Sequence, residues 1–325
     1  MQEEGFSEAM IDRFFRPFLG GIFFNRELSV TSRLFAFVMR MLASGSNCLP
    51  AAGIGAVAEQ VAAALPPGCV RLGVRADAVT AATGAAAASV TTAAGSIEAA
   101  RGVVVAVEGP EAARLLADVG AGDSAAAPGV GTCCVYFSTD ERKLPSDENI
   151  LYLDGEGRGV VNNACFPSTV APRYAPAGRA LVSASTIGTH DDLSDAQLEQ
   201  VCPSLFSALT PHGLGVFFVH VSSFVAKSSA HAGRVASNSS HVRAAQQAVR
   251  EDLSRWFGGD CVTAMELLRI YRIPFAQPSQ EPPTDLKKGA IVGGSVFVCG
   301  DHRTAATLEG AISSGRDAAQ ALLSS

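Results

Sequence analysis

The apolar run Val296-Phe297-Val298-Cys299 leads directly into Gly300-Asp301, and a helical pattern opens soon afterwards at Leu308. This order reads as a strand, a sharp bend, a carboxylate at the strand end, a short loop and a helix. Gly300 lets the backbone bend and be approached closely. The helix that starts near Leu308 presents N–H groups that have no partner within it. A second run, Val103 to Val107, is rich in valine and is expected to be a strand buried on both faces, with a helix over Pro110 to Val119 after it. Strands of this kind alternating with helices call for an α/β fold.

Composition agrees with a packed core. Of 325 residues, 48% are hydrophobic and 17% are charged, which excludes disorder and leaves room for two modest domains or one large one. The formal net charge is −6 and the 25 Lys and Arg are scattered, so no nucleic-acid partner is expected. No apolar run approaches the roughly 18–20 residues of a spanning helix. The longest, Leu214 to Ala226, is broken by His220, Ser222 and Ser223. Glu3, Glu4, Glu8 and Asp12 suit neither a signal peptide nor an Arg-rich transit peptide. None of the eight cysteines forms a C-x-x-C pair. Buried free thiols in a reducing compartment and no metal site are therefore expected.

The first 42 residues hold eight of the 17 phenylalanines and read as helical. Ser7 can cap a helix that Pro17 and Gly20-Gly21 should break, and Ser29 or Thr31 can cap a second over Ser32 to Leu42. Leu34, Phe37, Val38 and Met41 share one face of it, as core or as the wall of an apolar tunnel or membrane-facing lip. A Gly-rich turn at 49–55 leads to a helix over Ala56 to Leu65. Strands follow at Val70 to Val74, Ala78 to Ala82 and Ala88 to Thr92. The middle of the chain reads as strands at Cys133–Phe137, Ile150–Leu153, Val160–Ala164 and Arg179–Ser185. Ala248 to Phe257 reads as helix, Ala290 to Cys299 as strand and Leu308 to Leu323 as the final helix.

Residues Val201 to Gln247 contain no Asp or Glu, where the average density of the chain would give about four or five. Without this window, Ala196 to Gln200 would run into Ala248 to Leu253 as one amphipathic helix. The window is therefore read as an insertion or a retained intron. Its histidines, His212, His220, His231 and His241, have no metal-ligand spacing.

The C-terminal motif suits a flavin chemically. Asp301 can accept hydrogen bonds from a sugar or ribityl hydroxyl, and the positive helix end can hold a pyrophosphate or a flavin carbonyl. Gly300-Asp301 with Thr307-Leu308-Glu309-Gly310-Ala311 and Ser314-Gly315 resembles the C-terminal FAD-binding signature of the flavin-containing amine oxidase superfamily. The branch it resembles is phytoene desaturase-like or protoporphyrinogen oxidase-like. Phe15 to Phe23, Leu49 to Gly53, Val70 to Leu72, Val103 to Val107 and Tyr271 to Pro278 are similar to other blocks of that family.

The resemblance implies an α/β fold in which a discontinuous FAD/NAD(P)-binding-type domain (49–110 and 285–325) joins a mixed α+β substrate domain (1–48 and 111–284). It implies FAD as cofactor, held by Gly53, Ala76, Gly300, Asp301, Thr307, Leu308, Glu309, Gly310 and Ala311. The Ala76 backbone would face the adenine. Arg16, Phe18, Tyr271 and Pro274 are substrate-site candidates, and no residue emerges as a catalytic base. The implied reaction takes hydride from an apolar substrate, carotenoid-like or tetrapyrrole-like, in a plastid, with peripheral membrane contact through the Phe-rich start. The family opens with a strand–GxGxxG–helix unit. Gly53-Ile54-Gly55-Ala56-Val57-Ala58 matches its letters, but Asn47-Cys48-Leu49-Pro50 is not a strand. The chain is thus expected to be the C-terminal portion of a longer flavoprotein. The alternative is an incompetent fragment or an apolar-ligand module whose FAD site another polypeptide completes.

Overall fold

The computed structural model describes residues 1, 5–120, 128–190 and 249–325. In chain order, Ser7 accepts from the Met10 N–H at 3.2 Å and opens α1 (Glu8–Met10), which continues through a π turn (Ile11–Phe15) into α2 (Arg16–Phe23). The expected break at Pro17 does not occur. Arg16 N–H reaches back five residues to Ile11 O, and this wider turn leaves room for the pyrrolidine ring. The helix ends instead at Phe24, which is left-handed at φ 50°. Next come α3 (Ser32–Ser44) and α4 (Gly55–Ala63), then β1 (Ala78–Thr80), β2 (Ser89–Thr92), β3 (Gly95–Glu98), β4 (Val103–Val105) and α5 (Gly109–Leu115). The middle of the chain contributes β5 (Gly129–Asp140), β6 (Leu151–Leu153), β7 (Val161–Cys165), α6 (Pro167–Val170) and β8 (Arg179–Ile187). After a helix over 249–257, α7, come α8 (Gly259–Thr263), β9 (Glu266–Pro278), β10 (Ile291–Gly293), β11 (Val296–Val298) and α9 (Leu308–Ser324).

These elements divide into two units. One holds 1–29, 35–60 and 131–274; the other holds 30–34, 61–130 and 275–325. The first unit is built on a sheet of order β6-β7-β8-β5-β9. Strand β5 pairs antiparallel with β8 from Thr132↔Ile187 to Asp140↔Arg179, so Cys133, Val135 and Phe137 share a face with Val182 and Ala184. Helix α7 lays Val249 and Leu253 on that face, and Phe166 and Met265 close the core. Asp252, buried in the same helix, accepts from Val161 N–H at 2.9 Å and pairs with Arg255, which ties the helix to β7.

In the second unit β11 lies between β10, antiparallel, and β4, parallel. Val296 and Val298 pack with Val103, Val105, Ala112, Leu115 and Leu116. A separate three-stranded meander, β1-β2-β3, adds Val79 to that core. The parallel β4–β11 pair with its helices fits the α/β class.

Besides the break at Pro17, further expectations change; the single strand expected over Ala290 to Cys299 is instead the antiparallel hairpin of β10 and β11. Val103 to Val107 is not buried on both faces: Val103 and Val105 are buried while Val104 and Val107 are exposed, because alternate side chains point to opposite faces and only one face of β4 is covered among the described residues. Val70 to Val74 forms no strand. Val70, Leu72 and Val74 are exposed there, with no neighbouring strand in hydrogen-bonding register. The helical stripe buries only Leu34 completely, and Met41 stays exposed. β3 was not expected. The window 201–247 and the stretch Ala196 to Gln200 before it lie outside the described residues. No disulfide is formed by the seven described cysteines.

Candidate functional site

The site is built where β11 ends. Cys299 N–H still donates to Val105 O at 3.0 Å, so the ladder holds to the last residue before the bend. Gly300 then adopts φ +146°, which disfavours any side chain. A Cβ there would lie 2.6 Å from the His302 ring, so packing inside the chain already demands the glycine. Gly300 N–H donates to Ser314 Oγ at 2.9 Å, and that hydroxyl lies 3.0 Å from Gly300 O. Buried Ser314 thereby pins the bend to the second turn of α9. In the sequence, the signal for this role is a small polar side chain four residues after Gly310, on the same helix face.

A single 3-10 turn, Asp301–Arg303, follows the bend. Asp301 is partly buried and has no Lys or Arg within ion-pair distance among the described residues; His302 Nδ1 lies 3.9 Å away. Burial pushes its carboxyl above the usual carboxylate range. The N–H groups of His302 and of Asp301 itself pull it back, and Glu108 pushes it up further. The His302 side chain is 1% exposed, and both ring nitrogens lack a hydrogen-bond partner among the described residues. Burial, then Arg303 and Lys288, push it down to about 4, so the ring is neutral.

The loop then turns back on α9. Thr307 accepts from Gly310 N–H at 2.9 Å as N-cap, and Thr307 O takes the Ala311 N–H at 3.0 Å. A Cβ on Gly310 would lie 2.0 Å from Ala305 O, so this glycine allows the loop to lie on the helix. Gly315, the last residue of the motif, has nothing within 4 Å of a Cβ, so it serves no close packing among the described residues. Ala306 N–H is held by buried Gln280 Oε1 at 3.1 Å. Leu308 and Glu309 N–H groups have no acceptor among the described residues. The bend, loop and cap leave two N–H donors at a helix N-terminus and a carboxylate without a cation partner. Those groups suit a cofactor that offers carbonyl acceptors and hydroxyl donors, as a flavin with a ribityl chain does.

The other expected residues are placed as follows. Ala76 lies in the second unit, before β1. Arg114 on α5 donates to Ala76 O at 3.0 Å and to Asp77 O at 2.7 Å, while Glu111 grips the same guanidinium at 2.9 and 2.7 Å. The Glu111–Arg114 spacing of i,i+3 was visible, but not its target. Gly53 lies in the first unit at φ +89°, in a turn closed by Gly53 N–H to Pro50 O at 2.9 Å. Arg16 on α2 is engaged by Asp12 at 2.7 Å and donates to Arg26 O at 3.3 Å. Phe18 is buried and stacked on Phe14. On β9, Tyr271 meets Tyr136 edge-on with Arg269 over its ring, and Pro274 is exposed.

The family model described as flavin containing amine oxidoreductase matches residues 1–323. The chain belongs to that family. Its members use FAD, so the donors and carboxylate at the end of β11 belong to a flavin oxidoreductase fold. Among solved structures, the chain is similar to a protein from Exiguobacterium sp. 255-15 provisionally named protoporphyrinogen oxidase, with 14% identity and a TM-score of 0.55 over 85% of this chain and 52% of that one. Others are an oxidoreductase from Methanosarcina mazei (14%, TM-score 0.46, 78% and 49%) and a reduced UDP-galactopyranose mutase (11%, TM-score 0.45, 85% and 54%). At these identities the first shows the fold, and the chain spans about half the length of the structures it matches. No curated protein matches the chain. Among the described residues no helix is long and apolar enough to cross a membrane, and no His, Cys, Asp and Glu group is suited to a metal.

Proposed function

We propose that the chain forms part of an FAD-dependent oxidoreductase that takes hydride from an apolar substrate, polyene-like or tetrapyrrole-like. The observation that carries this reading is the strand end itself. Among the described residues, Asp301 has no Lys or Arg partner, and the Leu308 and Glu309 N–H groups of the capped helix beside it have no acceptor. When bound, FAD would supply the hydride acceptor. Asp301 would accept from cofactor hydroxyls. Leu308 and Glu309 would donate to a flavin carbonyl, and Thr307, Gly310 and Ala311 would keep that helix end in shape. Gly300 would set the bend, and Gly53 and Ala76 would present backbone to the cofactor. Arg16, Phe18, Tyr271 and Pro274 would line or support the substrate side. The protein's part is to position, and to exclude water from, the reacting carbon; no residue is assigned as a base.

The test is the absorption spectrum of the purified chain with and without added FAD. A band at about 450 nm that survives gel filtration supports the reading. Soluble protein that retains no flavin favours a second reading, in which another polypeptide completes the site. That reading is favoured by the exposed Val104 on edge strand β4, a free ladder edge among the described residues.

A further inference from the structure

We propose that the cleft between the 51–53 turn and the Arg173–Tyr174 pair holds the carboxylate end of an apolar molecule. The cleft is open, measures about 420 Å³, and is lined by Ala51, Ala52, Gly53, Arg173 and Tyr174. That volume falls within the range of small-molecule sites, roughly 300–1,000 Å³. All five residues lie in the first unit.

Each wall has a definite chemistry. Gly53 turns the chain at φ +89° and its N–H closes on Pro50 O. Tyr174 donates its hydroxyl to the same Pro50 O at 2.9 Å, so the ring stands fixed as an apolar wall and its polar end is already engaged. Burial raises the Tyr174 pKa, which keeps that proton in place. Ala51 and Ala52 add methyl groups. Arg173 is the one charged lining residue. It is exposed, and it makes no ion pair or hydrogen bond among the described residues.

A guanidinium beside apolar walls selects an anion carried on an apolar body. Its planar fork matches a carboxylate with two parallel hydrogen bonds. A single arginine suits one negative charge better than a phosphate ester. The inference rests on the proposed function, and it narrows the substrate: a plain hydrocarbon polyene would leave Arg173 without a partner among the described residues.

The test uses the whole chain and three probes in titration calorimetry: decanoate, decan-1-ol and ADP. The wild type is expected to bind decanoate at least tenfold more tightly than decan-1-ol. Arg173→Gln should remove that preference, Arg173→Lys should keep part of it, and Tyr174→Phe should weaken both probes alike by freeing the wall. Equal binding of decanoate and decan-1-ol by the wild type overturns the proposal. So does a loss in Arg173→Gln confined to ADP, which would assign the cleft to a phosphate of the cofactor. Arg173 is exposed and has no ion-pair or hydrogen-bond partner among the described residues, so the variant should keep the wild-type unfolding midpoint. Flavin retention is measured separately. Its failure counts against the proposed function, whereas loss of the carboxylate preference counts against this site alone.

Discussion

Replacing His302 with leucine should flatten the acid limb of the protein's stability curve. The His302 side chain is 1% exposed and neither ring nitrogen has a partner among the described residues. In the folded chain its pKa is pushed down to about 4, from 6.5 when free. Each pKa unit corresponds to about 1.4 kcal/mol of differential stability. The unfolded chain therefore takes up the proton first, and the folded state loses about 3 kcal/mol as pH falls from 6.5 to 4. Above 6.5 the contribution is complete. Leucine cannot titrate, so His302→Leu should lack this loss. Asp301, Glu108, Arg303 and Lys288 are common to both proteins, and their titration cancels to first order in the comparison. The assay is urea unfolding of wild type and His302→Leu at pH 7.5, 5.5 and 4. The gap between the two should move by about 3 kcal/mol in favour of the variant on acidification. At pH 7.5 the variant should be no less stable, because leucine removes two buried polar atoms without partners. Parallel pH profiles would refute the argument, since they would mean that the imidazole is not held neutral by its surroundings.

Three further outcomes are expected. Asp301→Asn should stabilise the flavin-free protein at neutral pH: burial raises the Asp301 pKa, so its ionisation costs stability as pH rises through that range. The same change should weaken flavin retention about tenfold, the scale of one charge-assisted hydrogen bond, seen as lost absorbance after gel filtration. Gly310→Ala should cost about 1–3 kcal/mol in thermal unfolding despite the better helix former, because its Cβ would lie 2.0 Å from Ala305 O. Thr307→Ala should cost about 1 kcal/mol by leaving Gly310 N–H without its cap, and Thr307→Ser should restore most of it.

The periodic parts of the sequence were legible because periodicity reports burial. The strands β5 to β8, the helix at 249–257 and α9 all fall where apolar spacing puts them. Pattern failed where partners decide. Val70 to Val74 has strand-like residues but no strand to pair with among the described residues, and Val103 to Val107 has the composition of a doubly buried strand while one face of β4 is exposed. Pro17 was read as a breaker, yet a π turn before it relieves the clash, and no residue type announces a π turn in advance. Ser314 and Arg114 act across gaps in the sequence, on Gly300 and on the carbonyls of Ala76 and Asp77. Their roles follow from tertiary placement, which no local spacing encodes.

The C-terminal motif also changes meaning once its contacts are known. Several of its members are fully occupied in holding a shape. Gly300 answers to its φ of +146° and to the His302 ring, Gly310 to Ala305 O, Thr307 to the helix end and Ser314 to the bend. None of these needs a ligand to explain it. What the shape leaves over is the Asp301 carboxylate, which burial holds toward its neutral form, and the N–H groups of Leu308 and Glu309. Burying a carboxylate without a cation costs stability, and the N–H groups of His302 and Asp301 offset only part of that cost. A cofactor hydroxyl donating to that carboxylate would repay the cost, favouring the ionised form that burial opposes. The motif therefore separates by experiment. Changes at Gly310 or Thr307 should lower stability and flavin retention together, whereas Asp301→Asn should raise one and lower the other.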